Sequence, residues 1–357
     1  MTKGTPTHKG NPTIVDVAER AKVSKSTVSN VVRGSDRVAA ATIARVQLAI
    51  AELGYKPNGL ARQFVQQRTT MLGVLTGDLD NPFYGELSKR VERCAFERGY
   101  TAMFSNIEDS DARALTRIRA MTEHRVAGII FLALFTASES IRAEIGDDVP
   151  VVFAGMRERW GSSASTNETA GGRIATEHLL ELGHERIAFL TSPHIERRAA
   201  RERHAGYQGA IRAAGLEPRR LIHWDAGSEM AVVDRQPKAL FDEIRGEYGA
   251  TAVFCANDLA AIALLDYCDR HAIKVPGELS IVGFDDVNLA ELERISLTTI
   301  RQPLDLMAEA AVETVISGAE GHTDTTTHRV FEPSLIVRSS TGPIKPSRKQ
   351  PLEPKKA

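Results

Sequence analysis

The sequence predicts a small all-α head followed by a two-lobed α/β domain, and three observations carry that prediction. Helical periodicity interrupted by breakers is confined to residues 13–53, ending at the run "GYKPNG" (54–59). From Met71 the texture changes to short apolar runs, each leading into an amphipathic stretch. At 357 residues and 42% hydrophobic, the chain is long enough to bury more than one core.

In chain order, residues 1–12 are polar, carry two prolines and are expected to be disordered. "TIVDVAERA" (13–21) reads as an amphipathic helix. Thr13 can cap it, Asp16 sits in its first turn, and Ile14, Val17, Ala18 and Ala21 form the packing stripe. The joint "AKVS" allows only a tight turn before "SKSTVSNVVRG" (24–34). On a helix, Lys25, Ser26, Ser29, Asn30 and Arg33 share an arc of about 140°, opposite Val28, Val31 and Val32. Ser24 can cap this second helix and offer its N-terminal dipole to an anion. A helix, a short turn and a second helix with a polar outer face suit a helix-turn-helix whose second helix enters a DNA major groove. The geometry alone suits an ordinary surface hairpin equally well.

Charge separates the two. Residues 1–70 carry +7, the tail from Pro343 carries +4, and the stretch between carries −12, within a net charge of −1. A basic head on an acidic body fits a chain whose head alone meets a polyanion. The cysteines (Cys94, Cys255, Cys268) are odd in number and widely spaced, which fits a reduced cytoplasm. No signal-peptide core and no membrane-length apolar run is visible, so the sequon Asn167-Glu168-Thr169 carries no weight.

"TIVDVAERAKVSKSTVSNVV" and "LGYKPNGLARQF" resemble the DNA-binding head of the LacI/GalR family of bacterial transcription regulators. The resemblance continues in "NPFY" (81–84), "EHLLELGHERIAFL" (177–190), "AND" (256–258), "VPGELSIVGFDD" (275–286), "LTTIRQP" (297–303) and "EPSLIVRSST" (332–341). It implies a DNA-binding repressor, acting as a homodimer on a pseudo-palindromic operator in the cytoplasm. It also implies that Lys25, Ser26 and Asn30 reach base edges while Ser24, Thr27 and Ser29 hold the backbone. Lys and Asn suit guanine and adenine edges respectively; Arg33 and Arg62 add cations beside the phosphates. Lys22 stands where the family usually has Gly, and a left-handed backbone there costs roughly 1 kcal/mol. The family's hinge helix corresponds to residues 58–70, with Phe64 in place of the leucine that wedges into the minor groove. Packing of Phe64 against the head is the alternative.

The domain organisation predicted is therefore a helix-turn-helix head at 13–57, a hinge at 58–70, a periplasmic-binding-protein-like effector domain of two α/β lobes at 71–342, and a disordered tail at 343–357. Apolar runs at 72–78, 100–106, 127–134, 149–155, 186–192, 251–258 and 279–286 are the expected strands. Candidate helices lie at 84–98, 111–124, 171–183, 202–214, 238–247 and 259–271. The tail lacks a leucine heptad, which favours a dimer over a tetramer.

No nucleophile elbow, phosphate-binding loop, dinucleotide fingerprint or zinc spacing is present, so no enzyme, cofactor or metal is expected. "GG" at 171–172 is not such a fingerprint, and His178 with His184 reads as surface and helix-end packing. Ligands of parallel α/β sheets sit beyond the carboxyl ends of the strands. Asn257 and Asp285 end two predicted strands there, and Phe83 and Tyr84 follow the first. The resemblance assigns these four, with Asn167 and Arg203, to the effector. Their chemistry suits a polyhydroxylated ligand such as a sugar, with a purine as the alternative. Capping of the next helices is an equal reading for Asn257 and Asp285. Asn167-Glu168 replaces the family's usual Asp-Asn pair and removes one carboxylate from the expected ring.

Overall fold

The computed structural model describes residues 12–32, 38–55, 69–77, 79–108, 110–132, 138–191, 198–218, 222–223, 241–322 and 326–344. The predicted Arg33, Arg62 and Phe64, with most of the expected hinge, lie outside these described residues. The chain divides into two compact units, Met1–Thr69 and Thr70–Ala357.

In the first unit, helices α1 (Ile14–Ala21), α2 (Lys25–Val32) and α3 (Ala40–Leu53) surround one small core. Thr13 and Asp16 cap α1 reciprocally: the Thr13 N–H donates to Asp16 Oδ2 at 2.6 Å, and the Asp16 N–H to Thr13 Oγ1 at 3.5 Å. The turn to α2 passes through Lys22 at φ 54°, ψ 50°, so the predicted left-handed residue is present. There the Val23 N–H reaches back to the Ala18 carbonyl at 3.0 Å, satisfying an orphan helix-end acceptor. Val17, Val28 and Val46 are wholly buried at the centre. Val31 and Val32 pack half-buried around them.

The second unit holds two six-stranded sheets. Strands β1 (Met71–Thr76), β2 (Thr101–Asn106), β3 (Gly128–Leu132), β4 (Val151–Ala154), β5 (Ser162–Thr166) and β11 (His328–Phe331) make the first, in the order β11-β5-β4-β3-β1-β2. All its pairings are parallel. The second sheet joins β6 (Ile187–Thr191), β7 (Ile222–His223), β8 (Ala252–Cys255), β9 (Ser280–Asp285), β10 (Thr298–Arg301) and β12 (Ser334–Ile336), in the order β12-β10-β9-β8-β6-β7. Only β12 runs antiparallel.

Helices α4 (Pro82–Glu97), α5 (Asp111–Glu123) and α6 (Ser138–Ile145) belong with the first sheet. Helices α7 (Glu168–Glu181), α8 (Arg198–Ala213) and α9 (Asp258–Arg270) belong with the second. Helix α10 (Leu304–Ala319) follows a second-sheet strand yet packs on β3, β4 and β5. The chain therefore passes between lobes three times, at Asn167, at Gln302–Pro303 and at Glu332–Pro333.

Each predicted strand falls inside its apolar run except β1, which begins one residue earlier, at Met71. Of the candidate helix at 238–247, residues 238–240 lie outside the described ones; the remainder is helical and ends in a π-helical turn, Glu243–Glu247. The expected tail begins too early: the Ile344 N–H donates to the Leu182 carbonyl at 3.1 Å, and residues 345–357 lie outside the described ones. Surface packing of His184 is also corrected. Its ring is 3% exposed, and hydrogen bonds tie it to Thr251, Ser280 and the Gly342 carbonyl, each at 3.0 Å. The "GG" pair has a packing role. A Cβ on Gly172 would stand 2.0 Å from the Arg203 carbonyl oxygen, and one on Gly206 2.1 Å from that of Thr169. Glycine is what lets α7 and α8 touch backbone to backbone.

Candidate functional site

On α2 the polar face predicted from periodicity is open. Lys25 and Ser26 are exposed, Ser29 and Asn30 half-buried, and Val28 turns inward. Ser24 caps the helix, its Oγ accepting from the Thr27 N–H at 3.1 Å. The same hydroxyl sits 2.7 Å from that of Ser26 and 2.8 Å from that of Thr27. Three hydroxyls thus cluster at one helix N-terminus, where the dipole favours an anion such as a backbone phosphate. No hydrogen bond or ion pair within the protein holds Lys25 or Asn30 among the described residues. Both are available to an external partner.

In the second unit, the carboxyl ends of the strands face a cavity of about 550 Å³. Residues from both lobes line it, among them Gly155, Trp160, Ser165 and Thr166 from the first and Glu168 and Arg201 from the second. Around it lies a buried polar cluster centred on Arg203, 7% exposed. The guanidinium donates to Glu168 Oε2 at 2.7 Å and to the Ala256 carbonyl at 2.5 Å, lies 3.7 Å from Asp285 Oδ1, and stacks 3.6 Å over the Phe284 ring. Burial pushes the Glu168 carboxyl above its usual range, with the Arg203 charge opposing. The carboxylate that the Asn-Glu sequence seemed to remove from the ring is therefore supplied by Glu168. Sequence reasoning passed over that residue, because an acid in the first turn of a helix reads as a dipole partner.

The six predicted effector residues occupy different places. Phe83 packs against the cores of both lobes, with its ring against Gly155 in the cavity wall. Tyr84 meets it edge to face, centroids 5.3 Å apart. Asn257 caps α9 by accepting from the Ala260 N–H at 2.9 Å. Asn167 caps α7 through Oδ1 at 3.1 Å, and its Nδ2 donates to Glu332 Oε1 at 2.8 Å. Both ends of its amide are engaged. Asp285 ends β9 at φ 125° and accepts from Gln302 Nε2 at 2.7 Å, while Gln302 Oε1 accepts from Thr166 Oγ1 at 2.6 Å. Neighbouring Asp286 points elsewhere, to Arg301 at 2.6 Å and Arg338 at 2.7 Å. The two adjacent aspartates therefore do not form an acid/base pair. Asp258, wholly buried, is held by Thr299 at 2.5 Å and the Val287 N–H at 2.9 Å. Burial raises its pKa well above the ordinary carboxylate value.

A groove-ready helix on a helical head and an interlobe cleft in a two-sheet α/β body define a ligand-responsive DNA-binding regulator. Comparison with known proteins agrees at each level. Residues 13–58 match bacterial regulatory proteins of the lacI family, and residues 176–341 match the periplasmic binding protein-like domain. The ribose operon repressor of Escherichia coli K12 is 34% identical over 335 residues, covering 90% of this chain and 94% of that one. The regulator GalR of the same strain is 31% identical over 339 residues, covering 92% and 95%. Among solved structures, the Lac repressor dimer bound to operator and the anti-inducer ONPF superposes with a TM-score of 0.82 at 26% identity, over 93% of this chain and 100% of that one. A transcriptional regulator CelR–cellobiose complex gives 0.67 at 30% identity, covering 92% and 99%. The chain belongs to the LacI family. It is a DNA-binding transcription regulator, not an enzyme. No helix among the described residues is long and apolar enough to cross a membrane.

Proposed function

We propose that the protein is a cytoplasmic repressor that binds a pseudo-palindromic operator as a homodimer and changes its operator affinity when a sugar or sugar derivative occupies the interlobe cleft. The observation that carries the reading is the cleft itself. It is a cavity of about 550 Å³ lined in part by Ser165, whose hydroxyl is buried without a hydrogen-bond partner among the described residues. The hydroxyls of Thr76 and Thr191, ending β1 and β6, are likewise buried and unpartnered. Buried hydroxyls are normally satisfied, and a polyhydroxylated ligand would supply partners. The ribose, Lac and CelR relatives, by their names and bound molecules, point the same way.

On the DNA side, Lys25, Ser26 and Asn30 read bases, while Ser24, Thr27 and Ser29, with Arg33 and Arg62, hold phosphates; Phe64 is the minor-groove wedge. An effector acts only by binding one lobe arrangement better than the other. The test is fluorescence anisotropy with operator DNA selected from random sequence, with and without a sugar panel. Asn30→Ala should cost the selected site about tenfold to a hundredfold while random DNA loses little. Equal losses on both, or a panel that never alters affinity, would overturn the reading.

A further inference from the structure

Resting on the proposed effector cleft, the geometry assigns the ligand a further property: we propose that the effector is an anionic sugar, a phosphate ester or a sugar acid, whose charged group is taken by Arg157 beside Ser165. Arg157 lies in the segment between β4 and β5, and its Nε is buried without a hydrogen-bond partner, as is the Ser165 hydroxyl in the wall of the same cavity. Both residues line the same cavity.

A guanidinium nitrogen buried without an acceptor is costly to keep. Arg159 and Arg201 line the cavity too, and neither they nor Arg157 form an ion pair with any carboxylate among the described residues. The other cations there are engaged: Arg198 holds Glu202 at 2.7 Å, and Arg142 leans toward Asp147 at 3.8 Å. Glu139 and Glu158 also line the space, yet neither closes on Arg157. Glu168 is turned to Arg203 at 2.7 Å and cannot serve.

Among the described residues the cavity thus holds three guanidinium groups that no ion pair engages, at the carboxyl end of a parallel sheet and beside the N-terminal turn of α8, which contributes Arg198 and Arg201. Planar guanidinium groups recognise phosphate and carboxylate through paired hydrogen bonds, and a helix N-terminus adds to the attraction. A neutral sugar would bring these guanidinium groups no anionic partner.

The experiment titrates the full-length protein by calorimetry with matched sets: D-ribose and D-ribose 5-phosphate; D-glucose, D-glucose 6-phosphate and D-glucuronate; and inorganic phosphate alone at constant ionic strength. The expected result is that an anionic member binds at least about tenfold more tightly than its neutral parent. Arg157→Gln should collapse that ratio toward one and Arg157→Lys should restore part of it, both variants melting cooperatively without ligand. The phosphate and glucuronate arms separate an ester from a sugar acid. Neutral sugars binding as tightly as their anionic partners, or a preference surviving in Arg157→Gln, would overturn the anionic assignment and leave the effector cleft standing. Inorganic phosphate matching the ester, with no dependence on Arg157, marks an adventitious ion only and overturns it too. No binding by any member removes the assignment together with a cleft for these sugars.

Discussion

Asn167 Nδ2 donates to Glu332 Oε1 at 2.8 Å, which ties the first crossing between lobes to the third. Thr166 and Gln302 tie the first to the second through a 2.6 Å hydrogen bond. These bonds join the crossings to one another, so a change in lobe arrangement would bear on them and the crossings are the natural hinge. Asn167→Asp keeps the oxygen that caps α7 but sets a second oxygen against the Glu332 carboxylate. The expected outcome is a shift of two- to thirtyfold, roughly, in the effector concentration that half-changes operator affinity. Thermal stability should move little. An unchanged effector midpoint in operator titrations would refute a hinge role.

Arg203 and Glu168 should behave as one unit. Arg203→Met leaves the Glu168 carboxylate buried without its partner and should destabilise the second unit by about 3–5 kcal/mol. Adding Glu168→Gln removes the uncompensated charge and should recover much of that loss. Urea unfolding of the two single variants and the double variant measures the coupling.

Lys22 offers a gain. Its backbone is left-handed at φ 54°, a conformation that glycine adopts without penalty. Lys22→Gly should stabilise the head by about 1 kcal/mol. Amide exchange in residues 14–21 would slow about fivefold if exchange proceeds through unfolding of the head.

His184 gives the second unit an acid-sensitive lock. Burial holds its imidazole below its ordinary pKa, with the Gly342 carbonyl opposing, and His178 is lowered by burial as well. The folded rings stay neutral where the unfolded ones, near 6.5, already take protons. Their contribution is complete above about pH 6.5 and is lost as pH falls toward the depressed folded values. The melting temperature of the second unit should therefore drop between about pH 7 and pH 5, and less steeply in His184→Gln. That variant is less stable at neutral pH, because it loses the bonds to Thr251 and Ser280.

The head was legible because its signals are local: a capping box, a tight joint and a valine stripe all lie within some twenty residues of sequence. The buried strands were legible as short apolar runs for the same reason. Helix α10 was not singled out, nor was its place against the first sheet, since a helix that follows a second-lobe strand carries no local mark of the lobe it joins. Strands β5 and β11 are rich in Ser, Thr and charged residues and do not stand out as apolar runs. The pairing of Glu168 with Arg203 spans 35 positions and depends on two glycines that bring α7 against α8. At Asn257 the helix-capping alternative read from the sequence is present, its side-chain oxygen holding the start of α9.

The threefold passage between lobes also bears on how the protein is made. On a ribosome the head can finish folding early, since its core is drawn from residues between Ile14 and Tyr55. Neither lobe has that freedom. The first sheet waits for α10 to cover β3, β4 and β5 and for β11 to close its edge, and the second waits for β12. A nascent chain stopped short of Leu304 would carry a competent DNA-reading module on a body with its main apolar face still bare, a product for chaperones and proteases rather than a smaller regulator.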